Sequence, residues 1–304
     1  MEPRLKFITC TNPQGLHRMA YWEWGDEQNP RVLLCIHGLS RQGRDFEEVA
    51  RALSTTHRVI CPDVVGRGAS DWHSNPQFYN VPYYAADMVT LLAHLNAQEV
   101  DLLGTSMGGM ISMCLLGFEQ QLQARTAHNK YLPARTGFNF RRVILNDVGP
   151  RLEKADLIHI AERVKKPVSF ASLQEAIPVF KEVAASFGPM SDENWLKFVQ
   201  SSLRQEGERW IQSYDLNIAK GFEALTSDEA IAKSEFILWQ LYRMINIPIL
   251  VIHGEHSDLL SKEGVDLMCQ ENPLTQVVSV PTGHAPSLLE PYQVKIVQGF
   301  LLKE

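Results

Sequence analysis

The chain has 304 residues, long enough for one large α/β domain with an insertion or for two domains. Hydrophobic residues make up 45% and charged residues 21%, the balance of an ordinary globular protein whose core needs no disulfide support. A net charge of −6 argues against nucleic acid or an anionic membrane as the main partner.

The five cysteines, Cys10, Cys35, Cys61, Cys114 and Cys269, are scattered, and Cys35, Cys61 and Cys114 lie inside apolar runs. They read as reduced core residues of a cytoplasmic protein rather than a disulfide frame or a metal cluster. Met1-Glu2-Pro3-Arg4 has no apolar stretch behind it, so no signal peptide is expected. No run approaches the length of about 20 apolar residues that spans a bilayer.

In chain order, Leu5–Thr9 and Arg18–Trp24 alternate in polarity around the turn Asn12-Pro13-Gln14-Gly15, which predicts two antiparallel strands. Val32–Ile36 is a continuous apolar run, as for a strand buried on both faces of a parallel sheet, and it ends in His37-Gly38-Leu39-Ser40. A helical pattern covers Asp45–Leu53. Arg58–Cys61 is a short strand closed by the loop Pro62–Asp71, whose Gly66 and Gly68 mark a tight course. Tyr83–Leu95 has helical spacing. Val100–Leu103 is the next strand, followed by Gly104-Thr105-Ser106-Met107-Gly108-Gly109 and an apolar run to Phe118. This alternation of strand and helix predicts a doubly wound parallel sheet, with sites at the carboxyl ends of its strands.

The segment from Glu119 to Phe140 is polar and basic and reads as an irregular connection. Val143–Leu145 is a further buried strand, ending in Asn146-Asp147-Val148-Gly149-Pro150. From Arg151 to about Met244 the strand signals vanish and helical spacing dominates, which predicts an all-helical insertion sized as a lid. Its aromatic residues Phe187, Trp195, Trp210 and Trp239 read mainly as lid core. Sheet signals resume at Ile249–Ile252, which runs into His253-Gly254-Glu255-His256-Ser257-Asp258. A short helix, a strand over Gln276–Val280, the turn Pro281-Thr282-Gly283-His284 and a helix over Pro291–Leu302 complete the chain.

Gly-x-Ser-x-Gly between an apolar strand and a helix places the Ser106 hydroxyl on a sharp turn, with Gly at both flanking positions to avoid collisions. A serine hydroxyl needs a base, and the base needs a carboxylate to fix its tautomer. His284, after the last strand, is the candidate base. Asp258 is the candidate acid, with Asp147, after the sixth strand, as the alternative. The chain order Ser, Asp, His, with each residue on a loop after a strand, brings all three to one edge of the sheet. His253, Glu255, His256 and Asp258 crowd together, but their spacing is not His-Glu-x-x-His, so no metal or other cofactor is called for.

Together His37-Gly38, Asp63…Gly66-Arg67-Gly68…Ser70, Gly104-Thr105-Ser106-Met107-Gly108-Gly109, Gly254…Asp258 and Gly283-His284 resemble the α/β-hydrolase superfamily, in its lid-bearing type that includes bacterial carboxylesterases, enol-lactonases and meta-cleavage-product hydrolases. The resemblance runs from about Val32 to Leu301. It implies a mostly parallel eight-stranded sheet flanked by helices, with a helical lid inserted after the sixth strand. Residues 1–150 and 245–304 would form the core domain and 151–244 the lid. It also implies an oxyanion hole from the backbone N–H groups of Leu39 and Met107, with His37 bracing the turn and Asp63, Gly66, Gly68 and Ser70 shaping a loop. The expected activity is cleavage of a carboxylic ester or related acyl compound, with a small-molecule ester or acyl substrate and neither nucleic acid nor membrane as partner. Two other readings use the same residues: a carbon–carbon bond hydrolase or enol-lactonase, and a small-molecule receptor with a slow triad.

Overall fold

The computed structural model describes residues 2–127, 139–151, 153–223 and 225–303. Strands β1 (Arg4–Asn12) and β2 (Gly15–Trp24) form the expected hairpin, with Asn12 paired to Gly15 across the turn. Strands β3 (Arg31–Ile36) and β4 (Arg58–Pro62) follow, then β5 (Glu99–Thr105) and β6 (Asn139–Asn146). With β10 (Ile249–Gly254) and β11 (Thr275–Val280) they build one eight-stranded sheet in the order β1-β2-β4-β3-β5-β6-β10-β11. β1–β2 and β2–β4 pair antiparallel, and the remaining pairs are parallel. The apolar runs become the central strands: β10 is buried throughout and β3 at all but its first residue.

Helices cover both faces, and α9 (Lys262–Glu271) lies in the connection from β10 to β11. Helices α1 (Glu47–Leu53) and α10 (Pro291–Leu301) close one side, with Phe46, Leu53, Val297 and Phe300 fully or almost fully buried. Helices α2 (Val81–His94) and α3 (Met107–Ala127) lie on the other, where Met88, Leu91 and Ile111 are buried. α2 starts cleanly because the Asn80 side chain accepts from the Tyr83 N–H, taking up a donor that the first helical turn leaves free. The chain moves from β3 outward to β4 and then back past β3 to β5, so the sheet order reverses between β3 and β5. A crevice opens at the carboxyl ends of strands at such a reversal.

Between β6 and β10 the described residues hold α4 (Lys154–Val164), α5 (Leu173–Val183), α6 (Asp192–Ser202), α7 (Ile218–Glu223) and α8 (Asp228–Arg243). They also hold a small antiparallel sheet, β7 (Ser169–Phe170), β9 (Arg209–Gln212) and β8 (Leu203–Glu206). The insertion is therefore not all-helical. Its strands are two to four residues long and mostly half-exposed, so they carry no apolar run to betray them. The Glu119–Phe140 connection is corrected in part as well: α3 continues to Ala127, and β6 begins at Asn139. The rest of that connection lies outside the described residues. No helix among the described residues is long and apolar enough to cross a membrane.

The insertion is pinned to the core at several points. Gly68 N–H donates to the Ser213 carbonyl, and Tyr79 Oη donates to Asp215 at 2.7 Å. α8 packs on α3, where a Cβ added at Gly117 would sit 2.1 Å from Leu241. Where the neighbour is backbone rather than a flexible side chain, such an approach leaves no room for a Cβ. A Cβ on Gly108 would lie 1.9 Å from the Ile36 carbonyl oxygen, whereas one on the exposed Gly299, within α10, would meet nothing within 4 Å. In urea denaturation, Gly108→Ala is expected to lose about 2 kcal/mol or more, through backbone displacement. Gly299→Ala is expected to gain roughly 0.5 kcal/mol by reducing chain entropy in the last turn of α10.

Candidate active site

Ser106 follows β5 directly, with φ of +52°, a left-handed conformation rare for a residue with a Cβ. The turn has no room for larger neighbours. A Cβ on Gly104 would lie 2.4 Å from the Gly108 carbonyl oxygen. The Ser106 N–H donates to the Asn146 carbonyl at 3.0 Å, and the Ser106 carbonyl accepts from Gly109 N–H at 2.8 Å, so the turn is locked from both sides.

The parallel register of β5 and β6 pairs Thr105 with Asn146. The next residue on each strand, Ser106 and Asp147, therefore stands at adjacent strand tips. Asp147 is fully buried and also has positive φ, +55°. Its carboxylate accepts from Gly254 N–H at 2.8 Å, from the Ser257 hydroxyl at 2.6 Å and from His284 Nδ1 at 2.8 Å. The other nitrogen of His284 lies 2.9 Å from Ser106 Oγ. With Nδ1 carrying the proton toward Asp147, Nε2 is left with a lone pair facing the serine hydroxyl.

The acid beside His284 is thus Asp147 and not Asp258. The loop after β10 turns back on itself, with Ser257 N–H donating to the Gly254 carbonyl. That turn aims the Ser257 hydroxyl at Asp147 and leaves Asp258 exposed. Asp258 acts instead on Asp156 of α4, whose carboxyl is pushed up by burial first and by the Asp258 charge next. Sequence reading passed over Ser257 and the Gly254 amide entirely. The available signal was position: Asp147 adjoins its strand, while Asp258 stands several residues beyond the end of its own.

Asn146, fully buried, ties the group together. Its amide nitrogen donates to Thr105 Oγ1 at 3.0 Å and to the Pro286 carbonyl at 2.9 Å, linking the tips of β5 and β6 to the loop that carries His284. The insertion grips the same loop from outside. Ser186 accepts from Gly283 N–H and donates its hydroxyl to the His284 carbonyl.

Gly38 comes against Ser106: a Cβ there would be 3.7 Å from the serine Cβ. Leu39 follows it, and Met107 opens α3, where a first-turn N–H has no partner within the helix. His37 braces this turn as a neutral ring. Its Nδ1–H donates to the Gly38 carbonyl at 2.7 Å, and Nε2 accepts from Val64 N–H at 2.9 Å. Complete burial pushes its pKa down to about 3. Behind the turn lies Arg67, a fully buried guanidinium. It donates to the carbonyls of Leu39 and Val65 and to Tyr84 Oη, and it stands 5.0 Å from the Tyr84 ring centroid. Carbonyl dipoles and aromatic faces replace the water this cation has lost. Asp63 accepts from the Gly43 and Ala69 N–H groups, and burial raises its carboxyl to about 6. It shapes the loop, as do Gly66 and Gly68, both at positive φ.

Ser106, His284, Gly38 and Leu39 line a cavity of about 320 Å³ whose roof includes Phe187 and Phe198 from the insertion. Among the described residues, the side chains of metal-binding type that cluster within 4.8 Å are Cys10, His17 and Asp87, not those of the 253–258 turn. His17 Nε2 bonds the Asp87 carboxylate there at 3.0 Å.

Known proteins share this architecture. Residues 31–128 match the model of the alpha/beta hydrolase fold family. A 3-hydroxybutyrate-oligomer hydrolase from Cupriavidus necator is 42% identical over 304 residues, covering 98% of each chain. The chain belongs to the alpha/beta hydrolases. Among solved structures, a putative hydrolase from Rickettsia typhi superposes with a TM-score of 0.83 at 28% identity over 100% of both chains. An alpha/beta hydrolase from Novosphingobium aromaticivorans gives a TM-score of 0.80 at 30% identity, over 99% of this chain and 98% of its own. The present chain is accordingly a hydrolase enzyme.

The neutral His37 has a measurable signature. Its native pKa lies below that of the unfolded chain, so the unfolded state binds the extra proton first as pH falls. Its contribution is complete above about pH 6.5 and is lost on acidification toward pH 3, at about 1.4 kcal/mol per unit. Asp63, raised in the native state, acts with the opposite sign below about pH 6. The difference in unfolding free energy between wild type and His37→Asn cancels the Asp63 contribution. That difference is expected to shrink between pH 7 and pH 5 and to be flat from pH 7 to pH 8.

Proposed function

We propose that the enzyme hydrolyses carboxylic esters of short hydroxyalkanoic acids through a Ser106–His284–Asp147 triad. The observation that carries this reading is the single imidazole bonded to Ser106 Oγ on one nitrogen and to a buried carboxylate on the other. Substrate class rests on the similarity to the 3-hydroxybutyrate-oligomer hydrolase over nearly the whole of both chains.

In this mechanism His284 Nε2 takes the Ser106 proton as Oγ adds to the ester carbonyl. Asp147 holds the tautomer and stabilises the imidazolium. The Leu39 and Met107 N–H groups receive the oxyanion, a contribution of roughly 10²–10³ in turnover per donor. His284 then protonates the leaving alkoxide, and the alcohol departs. Water, deprotonated by the same imidazole, attacks the acyl-enzyme and releases the acid. Residues 151–244 act as the lid: Phe187 and Phe198 cover the cavity and limit the entry of water. The chemistry needs no cofactor.

Three variants test the assignment, with p-nitrophenyl esters from acetate to long chain and the 3-hydroxybutyrate dimer as substrates. Ser106→Ala is expected to abolish turnover of both. Asp147→Asn is expected to cut kcat by about 10⁴-fold, because the wrong imidazole tautomer faces the serine. Asp258→Asn is expected to stay within about 2-fold of wild type. An Asp258→Asn loss as large as that of Asp147→Asn would overturn the choice of acid.

A further inference from the structure

The cavity that contains Ser106 carries an excess of positive charge in a chain of net charge −6. Arg41, Arg44, Arg163 and Lys197 all line it. Three of these cations are neutralised by the protein. Arg41 pairs with Asp45 at 2.6 Å, Arg44 pairs with Glu47, and Lys197 pairs with Glu48 and Glu193 at 2.8 and 2.9 Å. Arg41 is further held by the hydroxyls of Ser201 and Ser202 and stacks on the Phe198 ring at 3.8 Å. Arg163 differs: among the described residues it has neither an ion pair nor a hydrogen-bonded partner for its guanidinium, and it stands exposed in the last turn of α4.

Its location adds to this. Arg163 also lines a second cavity, of about 260 Å³, with largely apolar walls that include Val168, Phe170, Phe180 and Leu203. The two cavities share Arg163, Arg41, Ser40, Phe187 and Phe198, so Arg163 stands where they meet. A cation beside apolar walls attracts an anion more strongly than one in open water. A guanidinium offers a planar fork that fits a carboxylate with two parallel hydrogen bonds. Arg163 also stands at the carboxyl-terminal, negative end of the α4 dipole, which favours a cation there without an acidic neighbour.

We infer that Arg163 is a carboxylate subsite, binding the ionised acid end of the ester substrate while Ser106 attacks its ester carbonyl. The inference rests on the proposed ester hydrolysis at Ser106 and narrows its substrate class. A hydroxyacid oligomer ends in a free carboxylate, and a dimer or trimer keeps that charge within a few bonds of an ester. The enzyme then works on chain ends, and it discriminates a free oligomer from one whose acid end is capped. Binding through a charged pair is worth roughly 1.5–3 kcal/mol, about 10-fold to 100-fold in KM.

The test is steady-state kinetics of wild type, Arg163→Gln and Arg163→Lys on the 3-hydroxybutyrate trimer as free acid and as its methyl ester. Wild type is expected to prefer the free acid by about 10-fold or more in kcat/KM, and Arg163→Gln to collapse that preference through KM at nearly constant kcat. Arg163→Lys is expected to restore part of it. Equal losses on both forms, or no loss on either, would overturn the subsite. If wild type cleaves neither trimer yet turns over p-nitrophenyl butyrate, the hydroxyalkanoate reading fails. The subsite is then decided by mono-p-nitrophenyl glutarate against p-nitrophenyl butyrate. A charge-selective rise in KM in Arg163→Gln supports it, and parallel behaviour overturns it.

Discussion

The buried carboxylate of Asp147 is the constraint on which the carboxyl-terminal edge of the sheet depends. A charge without solvent is tolerable only if donors surround it. Here the donors come from two separate pieces of chain, the turn after β10 and the loop after β11. Satisfying one carboxylate therefore fixes the Gly254–Ser257 turn and the His284 loop at once. The sheet register does the rest, since β5 and β6 end in step and put Ser106 beside Asp147. His284 then has one position in which both its nitrogens are used.

A second buried charge organises the opposite wall. Arg67 holds the Leu39 carbonyl, and the neutral His37 holds the Gly38 carbonyl. Both interactions orient peptide groups of one short turn, with their carbonyls directed into the protein. The motif around Gly66-Arg67-Gly68 is thus a support for the turn rather than a contact for substrate. Its glycines are required because Gly68 packs directly on Asp63, where a Cβ would fall 2.2 Å from the carboxylate.

Much of this was legible from the residues. Continuous apolar runs such as Val32–Ile36 and Ile249–Ile252 become central strands, because a strand covered on both faces has no polar side to show. Ser106 and His284 were legible from flanking glycines and from their place after strands. The choice between Asp147 and Asp258 was not, since both follow strands and both precede His284 in the chain. Deciding it needs the conformation of a turn, and a turn that aims Ser257 at Asp147 and exposes Asp258 leaves no periodic trace. The short strands β7, β8 and β9 were hidden for a related reason: too few residues alternate to define a period. Arg163 shows nothing in sequence either, because its interest lies in having no ion-pair partner among the described residues.

The Ser186 contacts bear on how such enzymes are recombined. Gly283 and His284 are hydrogen-bonded to a residue that belongs to the insertion, and Gly188 packs so tightly on Thr282 that a Cβ would fall 2.6 Å from its methyl group. A chimera that replaces the whole insertion to import a new specificity would remove the outer brace of the loop that carries His284. Swapped segments that stop short of Ala185 and resume after Gly188 keep that brace. Directed evolution of specificity has its free ground in the walls contributed by α4, α5 and β8, and a fixed hinge stone at Ser186.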